Sequence, residues 1–224
     1  ALNALRRQAT NALQQKVAES FSRTPRSPRI QFAKGGNEQP GQLPLVTASV
    51  QNHGQASAAV GAGVELLILG VTDWRSDTWH FWRQWMEKEK RRRGKLPPIW
   101  LELPSVSLPW GAEEVKARLV QESVYFHGLV LTNLGHLTWT KGLNLPLRGG
   151  WALNATNTIS AANYKMQGLD SLLLSPELNA AQMQDIMVRV PGCGLLVYGK
   201  IPTMQLRHCP HREQGGACGQ CGEG

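Results

Sequence analysis

Three cysteines and two histidines lie within fourteen residues near the end of the chain: His208, Cys209, His211, Cys218 and Cys221. Thiolates and imidazoles at this spacing are typical of a metal site, because cysteines in a reducing compartment bind metals more often than they form disulfides. Two ligand sets fit. Cys209, Cys218 and Cys221 with a fourth cysteine would hold an iron–sulfur cluster. The same three cysteines with His211 or His208 would hold tetrahedral zinc, for which this chain supplies all four ligands.

Four polar residues follow predicted strands and are candidates for a substrate pocket: Glu102, Asn133, Asn154 and Glu177. In a barrel of parallel strands the C-terminal strand ends surround one mouth, where active sites lie. Each residue also has a structural alternative, since Asn caps helices and Glu at a rim is solvated. The sequence therefore predicts a pocket at the barrel mouth and assigns no catalytic residue.

The chain is basic, with 24 Lys and Arg against 16 Asp and Glu and a net charge of +8. Arg91, Arg92 and Arg93 form a cluster between Lys88 and Lys95. Such a cluster attracts phosphates, so nucleic-acid binding, to RNA in particular, is one interpretation. A solvated helix face is the other.

Seven short apolar runs alternate with helical patterns, which predicts parallel strands joined by right-handed crossovers. The predicted strands are 45–50, 66–70, 99–103, 128–132, 147–153, 171–174 and 195–198. No glycine-rich phosphate loop follows the first run, which favours a TIM-type (β/α) barrel over a doubly wound sheet. Because no eighth apolar run precedes the cysteines, we expect an incomplete barrel of about seven strands.

The domain organisation follows from these patterns. We expect an N-terminal amphipathic helix over 1–21, a Pro- and Gly-rich linker over 22–42, a barrel unit over 43–204 and a metal-binding tail over 205–224. No run of eighteen apolar residues occurs, so no membrane segment is predicted. No signal-peptide pattern opens the chain, and we expect a cytoplasmic protein of which this sequence is one piece.

Four tryptophans at mostly helical spacing, Trp74, Trp79, Trp82 and Trp85, are predicted to pack a helix against the barrel or against a missing neighbour domain rather than to stack on bases. The remaining cysteine, Cys193, precedes the last predicted strand and is predicted to be a buried thiol.

The order of several phrases resembles a known family. These phrases are LNALRRQATNAL, VLTNLGHL, GGWALNATNTISA, LLLSPELNAAQM and LLVYGKIPTMQLRHCP with its trailing cysteines. Together they cover nearly the whole chain and are similar to the long members of the collagenase-like peptidase family U32, which carry a duplicated barrel unit. By this resemblance the chain is the C-terminal portion of such a protein, and the preceding domains of the same chain are its partners.

The resemblance implies a function. Family members with known chemistry are iron–sulfur proteins that hydroxylate bases in ribosomal or transfer RNA, or take part in oxygen-independent quinone hydroxylation. Cys209, Cys218 and Cys221 would then be three cluster ligands, with the fourth supplied from outside this sequence. The chain would be an RNA hydroxylase.

One departure from the family pattern bears on this expectation. Shorter members carry a Glu and a His just before a Gly in the seventh strand, where this chain has Leu196 and Tyr198. Two alternatives therefore stay open: a non-catalytic module that binds RNA or a partner through a structural metal clamp, and a collagenase-like protease. The protease is the least favoured, because the chain has neither a nucleophile elbow nor a zinc-protease helix.

Overall fold

The computed structural model describes residues 2–21, 45–71, 74, 76–106 and 109–202. The first helix belongs to one compact unit of the chain and the sheet to another. Within the described ranges, no helix is long and apolar enough to cross a membrane.

Helix α1 spans Leu2–Phe21 and confirms the predicted N-terminal helix. Its apolar side chains Leu5, Leu13 and Val17 lie at the spacing of one helix face and are exposed.

The second unit is a seven-stranded, wholly parallel sheet with helices between the strands. Its elements are β1 Thr47–Val50, α2 His53–Gly61, β2 Leu66–Gly70, α3 Ser76–Arg93, β3 Ile99–Glu102, α4 Pro109–Glu122, β4 Gly128–Leu131, α5 His136–Trp139, β5 Leu147–Gly149, α6 Thr158–Met166, β6 Ser171–Leu173, α7 Ala180–Arg189 and β7 Cys193–Gly194. The strands pair in chain order and curl into a half-barrel, which confirms an incomplete TIM-type barrel.

The period of two along each strand gives the sheet two apolar faces. Leu67, Leu69, Leu101 and Leu129 are fully buried in the core that also holds the tryptophans of α3. The alternate residues Leu66, Ile68, Trp100 and Val130 form a separate buried cluster on the other, inner face. Strands buried on both faces explain the continuous apolar runs in the sequence.

Of the two predicted packing partners for the tryptophans, the structure shows the barrel. Trp74, Trp79, Trp82 and Trp85 are all buried, and the Trp79 ring lies edge-on to Phe126 with 6.0 Å between ring centroids. The Trp85 indole N–H donates to Ser57 Oγ at 2.9 Å, which joins α3 to α2. These rings therefore hold helix α3 to the sheet.

The seventh strand differs from the prediction. It is Cys193–Gly194 and pairs with Leu172 and Leu173, whereas 195–198 is not a strand, and Val197 and Tyr198 are 88% and 95% exposed. The reason is the turn at Gly192, whose φ of +81° brings the next two residues beside β6. Cys193 accordingly lies within the strand, partly buried against a small core around Leu172.

The fifth strand is also shorter than predicted. It ends at Gly149, and Trp151–Leu153 forms a 3₁₀ turn that closes on Asn154 in the left-handed region at φ +52°. The chain therefore turns away from the sheet four residues earlier than its apolar run indicates.

Candidate functional site

One row of side chains crosses the inner face of the half-barrel. The strand register places Glu102 beside Val130, Val130 beside Arg148, and Arg148 beside Ser171. Val130 belongs to the buried inner cluster, so its row neighbours share that face. Two opposite charges, on β3 and β5, are thus brought to one surface with β4 between them.

Arg148 is the most constrained residue of this row. Its Nε donates a hydrogen bond to Ser171 Oγ at 3.0 Å, and its Cζ lies 4.9 Å from the centroid of the Trp100 ring. Burial lowers the pKa of the guanidinium. No carboxylate among the described residues pairs with it, and Nη1 and Nη2 have no hydrogen-bond partner there.

Gly128 makes this arrangement possible. It pairs with Trp100 across β3 and β4, and a methyl carbon added at Gly128 would lie 2.4 to 2.7 Å from three atoms of the indole ring. The ring therefore lies directly on the backbone of β4, and Cζ of Arg148 lies over the same ring.

We expect Gly128→Ala to destabilise the protein by about 1 to 3 kcal/mol, because the buried Trp100 ring must move to admit the methyl group. Chemical denaturation would measure the change. Gly111→Ala in α4 is the matched control, since nothing described lies within 4 Å of its added carbon. Equal unfolding free energies for the two variants would contradict this packing.

Glu102 is the last residue of β3 and lies at the C-terminal edge of the sheet. Burial raises the pKa of its carboxyl group. Within the described part of the chain it has no hydrogen-bond or ion-pair partner. A carboxyl group that retains its proton to higher pH can donate as well as accept a hydrogen bond.

The two candidate asparagines lie at the ends of the next strands and are exposed. Asn133 follows β4, where its Oδ1 accepts from the Gly135 N–H at 2.8 Å, so the side chain closes its own turn. Asn154 has the left-handed conformation that Asn tolerates, and its side-chain amide has no partner among the described residues. Only Asn154 therefore presents an uncommitted side chain.

Glu177 lies beyond β6, two residues after the fully buried Ser175, and its side chain is exposed. The Glu177 N–H donates to Ser175 Oγ at 3.3 Å, which orders this turn. The Ser175 N–H donates to the Ala155 carbonyl at 3.0 Å, so the turn lies beside the segment that follows Asn154.

The four candidate residues share one edge of the sheet. Thr132 Oγ1 donates to the Leu103 carbonyl at 2.7 Å, and the Gly150 N–H donates to the Leu131 carbonyl at 2.7 Å. These bonds, together with the Ser175 bond, join the ends of β3, β4, β5 and β6 in order. Glu102, Asn133, Asn154 and Glu177 therefore border one continuous edge, and no hydrogen bond joins any two of their side chains.

The basic cluster is partly neutralised within its own helix. Glu89 accepts from Arg92 Nη2 at 2.7 Å and from Arg93 Nε at 2.8 Å, and these hydrogen bonds lower the pKa of Glu89. Arg91 is 82% exposed, and its one ion pair in the described part of the chain is a long contact, 3.5 Å, with Glu87. Arg91 is therefore the cluster member best placed to meet a phosphate.

The predicted metal ligands Cys209, Cys218 and Cys221, with His208 and His211, lie outside the described residues. The donor set fits both groups by its chemistry, since thiolates bind iron–sulfur clusters and thiolates with imidazole bind zinc. Elsewhere, in the described ranges, no group of three or more metal-binding side chains comes together.

Reasoning from the sequence missed Arg148, Trp100 and Ser171, although a charged residue inside a predicted strand was a visible signal. It also assigned nothing to His136, which opens α5 just after Asn133. That ring is 1% exposed, and neither of its nitrogens has a hydrogen-bond partner in the part of the chain that the structure describes. No pattern in the sequence marks His136 as buried.

No family model matches the chain, and no curated protein matches it. The resemblance to family U32 therefore depends on the sequence phrases. Three of these phrases, at 130–137, 149–161 and 172–183, each span the C-terminal end of one strand and the start of the next helix. They occupy equivalent positions in three consecutive β/α units.

Proposed function

We propose that this chain is the C-terminal portion of a U32-type enzyme that hydroxylates bases in ribosomal or transfer RNA in the cytoplasm. The observation that supports this is the shared edge of the sheet. The U32-like phrases after β4, β5 and β6 meet there, and β7, the last strand before the cysteines in the sequence, ends at the same edge. In barrels of this class the C-terminal strand ends hold the chemistry.

Cys209, Cys218 and Cys221 would hold the metal group. An iron–sulfur cluster, 4Fe–4S by resemblance, supplies electron-transfer chemistry when bound, and it requires a fourth ligand beyond these three. Zinc would use His211 or His208 as its fourth ligand.

In this proposal the described residues bind the RNA substrate. Asn154 and Glu177 offer uncommitted polar groups at the mouth, which suit hydrogen bonds to the edge of an unstacked base. Glu102, partly buried at the same edge, can donate or accept such a bond. Arg91, with Arg92 and Arg93 beside it, attracts the RNA backbone through long-range charge. The preceding domains of the longer chain complete the RNA surface.

The test combines metal analysis with RNA analysis. The natural full-length chain is purified anaerobically, and its absorption spectrum and its iron, sulfide and zinc contents are measured. Nucleosides of ribosomal and transfer RNA from a deletion strain are compared by mass spectrometry after complementation. We expect the Cys218→Ser/Cys221→Ser variant to lose iron and to leave one hydroxylated nucleoside missing. Cys193→Ser, in β7, is the matched control and retains both.

Other results would favour other functions. Zinc in place of iron, with unchanged RNA nucleosides, would favour a non-catalytic module that binds RNA or a partner, with the metal as a structural clamp. Gelatin cleavage that co-purifies with the intact chain and is lost on substitution at the mouth would favour a collagenase-like protease. Unchanged metal content and RNA modification in the double cysteine variant would contradict the proposal.

A further inference from the structure

Arg148 is a half-buried charge without a counter-charge. Its row neighbour across β4, Glu102, forms no ion pair with it, and no other carboxylate of the described residues does so. A charge that is removed from water without a partner costs free energy. The protein nevertheless holds this guanidinium in one place, by Ser171 on its Nε and by Trp100 on its face.

The contacts of Arg148 leave a specific part of the group available. Nε donates to Ser171 and Cζ lies over the Trp100 ring, whereas Nη1 and Nη2 have no partner in the described part of the chain and are not among its fully buried polar atoms. The two terminal nitrogens of a guanidinium form a planar fork that matches two oxygens of a carboxylate or phosphate. A fork that is fixed before the ligand arrives loses little conformational entropy on binding.

The surroundings of the fork favour an anion. In its row the neighbours are Val130, which is apolar, and Ser171, whose Oγ accepts from Nε. Thr132, further along the same face, donates its hydroxyl to the Leu103 carbonyl. Glu102 is the acid of the row, on β3, with Val130 of β4 between it and Arg148 in the register.

We propose that the inner face of the half-barrel binds the phosphate or carboxylate group of a small ligand, with Arg148 as the binding residue. Trp100 and Ser171 are positioning residues, because they act by fixing the guanidinium. Gly128 contributes indirectly to the site, since only a residue without a side chain lets the Trp100 ring lie where it supports Arg148. The site differs from the RNA-steering arginines of α3.

This site goes beyond the proposed RNA chemistry and does not require it. Its test is direct binding rather than activity, so the two proposals can fail separately. A chain that binds anions but leaves RNA unmodified would overturn only the proposed function.

Isothermal titration calorimetry on the natural full-length chain tests the proposal, with inorganic phosphate and succinate as probes at an ionic strength held constant with sodium chloride. We expect the wild-type chain to bind at least one probe, and Arg148→Met to weaken that binding roughly tenfold or more, because charge-assisted hydrogen bonds are lost. Arg148→Lys keeps the charge but not the fork, so binding should weaken by a smaller factor. Arg189→Met, at an exposed arginine of α7 paired with Asp185, is the matched control and binds like wild type.

A second variant tests the site even if the Arg148→Met protein does not fold. Ser171→Ala removes one oxygen atom and frees Nε, and we expect weaker anion binding, by several-fold, with an unchanged far-ultraviolet circular dichroism spectrum. Binding of phosphate alone assigns a phosphorylated ligand, and binding of succinate alone assigns a carboxylate. Absence of binding of both probes to the wild-type chain, or equal binding by the Arg148→Met and Arg189→Met variants, would overturn the proposal.

Discussion

Replacement of Arg83 by methionine is expected to lower the free energy of unfolding by up to about 3 to 5 kcal/mol, because it removes the hydrogen-bonded partner of a buried carboxylate. Arg83 Nη1 lies 2.6 Å from both carboxylate oxygens of Glu122, whose side chain is 1% exposed. The bonds join helix α3 to the end of α4, and the guanidinium also lies 5.6 Å from the Tyr125 ring centroid. Among the basic residues that the structure describes, only Arg118, at 3.8 Å, would remain near the carboxylate.

Arg91→Met is the matched control in the same helix. Its 3.5 Å contact with Glu87 joins two exposed side chains, and such pairs contribute about 0 to 1 kcal/mol. Urea denaturation would measure both variants. The double variant Arg83→Met/Glu122→Met should regain much of the loss, because the buried Glu122 carboxylate is removed together with Arg83. If Arg83→Met cost no more than Arg91→Met, the ion pair would not hold α3 to α4.

The sequence predicted the fold because buried parallel strands are simple to recognise. Leu66–Gly70 is predicted and observed with the same bounds, since an unbroken apolar run between polar segments leaves no other solution. Strand prediction failed where residues with the composition of a strand are not the ones that pair in the sheet. The run LLVY has the composition of a strand, yet the turn at Gly192 already places Cys193 and Gly194 beside β6.

The candidate site was predicted only in part, because the sequence does not show which residues of neighbouring strands are paired. Glu102, Asn133, Asn154 and Glu177 could be assigned to one edge, because every parallel strand ends at that edge. Arg148 needed a further fact, namely which residues face each other across strands. A shift of one residue would place its side chain on the opposite face. The Arg83–Glu122 pair, 39 positions apart in the chain, was equally hidden.

Counting charges overstated the positive charge that Arg91, Arg92 and Arg93 present to a ligand, because Arg92 and Arg93 are paired within their own helix. Arg92 and Arg93 are adjacent in sequence and both reach Glu89, three and four positions earlier on α3. A helical projection alone would have shown this neutralisation. The number of arginines in a run is therefore a weaker indicator of nucleic-acid binding than their exposure and pairing.

His136 is expected to make the protein less stable as the pH falls from about 6.5 to about 4. Burial lowers its pKa from 6.5 to about 4, so in this range the unfolded state binds a proton that the folded state excludes. Stability is full above pH 6.5, declines through the window and levels off below the folded pKa. A shift of this size corresponds to about 3 kcal/mol in total. Urea denaturation at a series of pH values would measure the decline.

The variant His136→Leu isolates this contribution. The imidazole nitrogens have no hydrogen-bond partner among the described residues, and the ring lies 4.8 Å from that of Trp139, so an apolar side chain suits the site. We expect a flatter dependence on pH and an unfolding free energy at neutral pH equal to or above that of wild type. His80→Gln, at an exposed position on α3, leaves His136 intact and should retain the decline. If His136→Leu declined as steeply as wild type, other groups would have to cause the acid sensitivity, and the imidazole would have to find a partner or solvent when it is protonated.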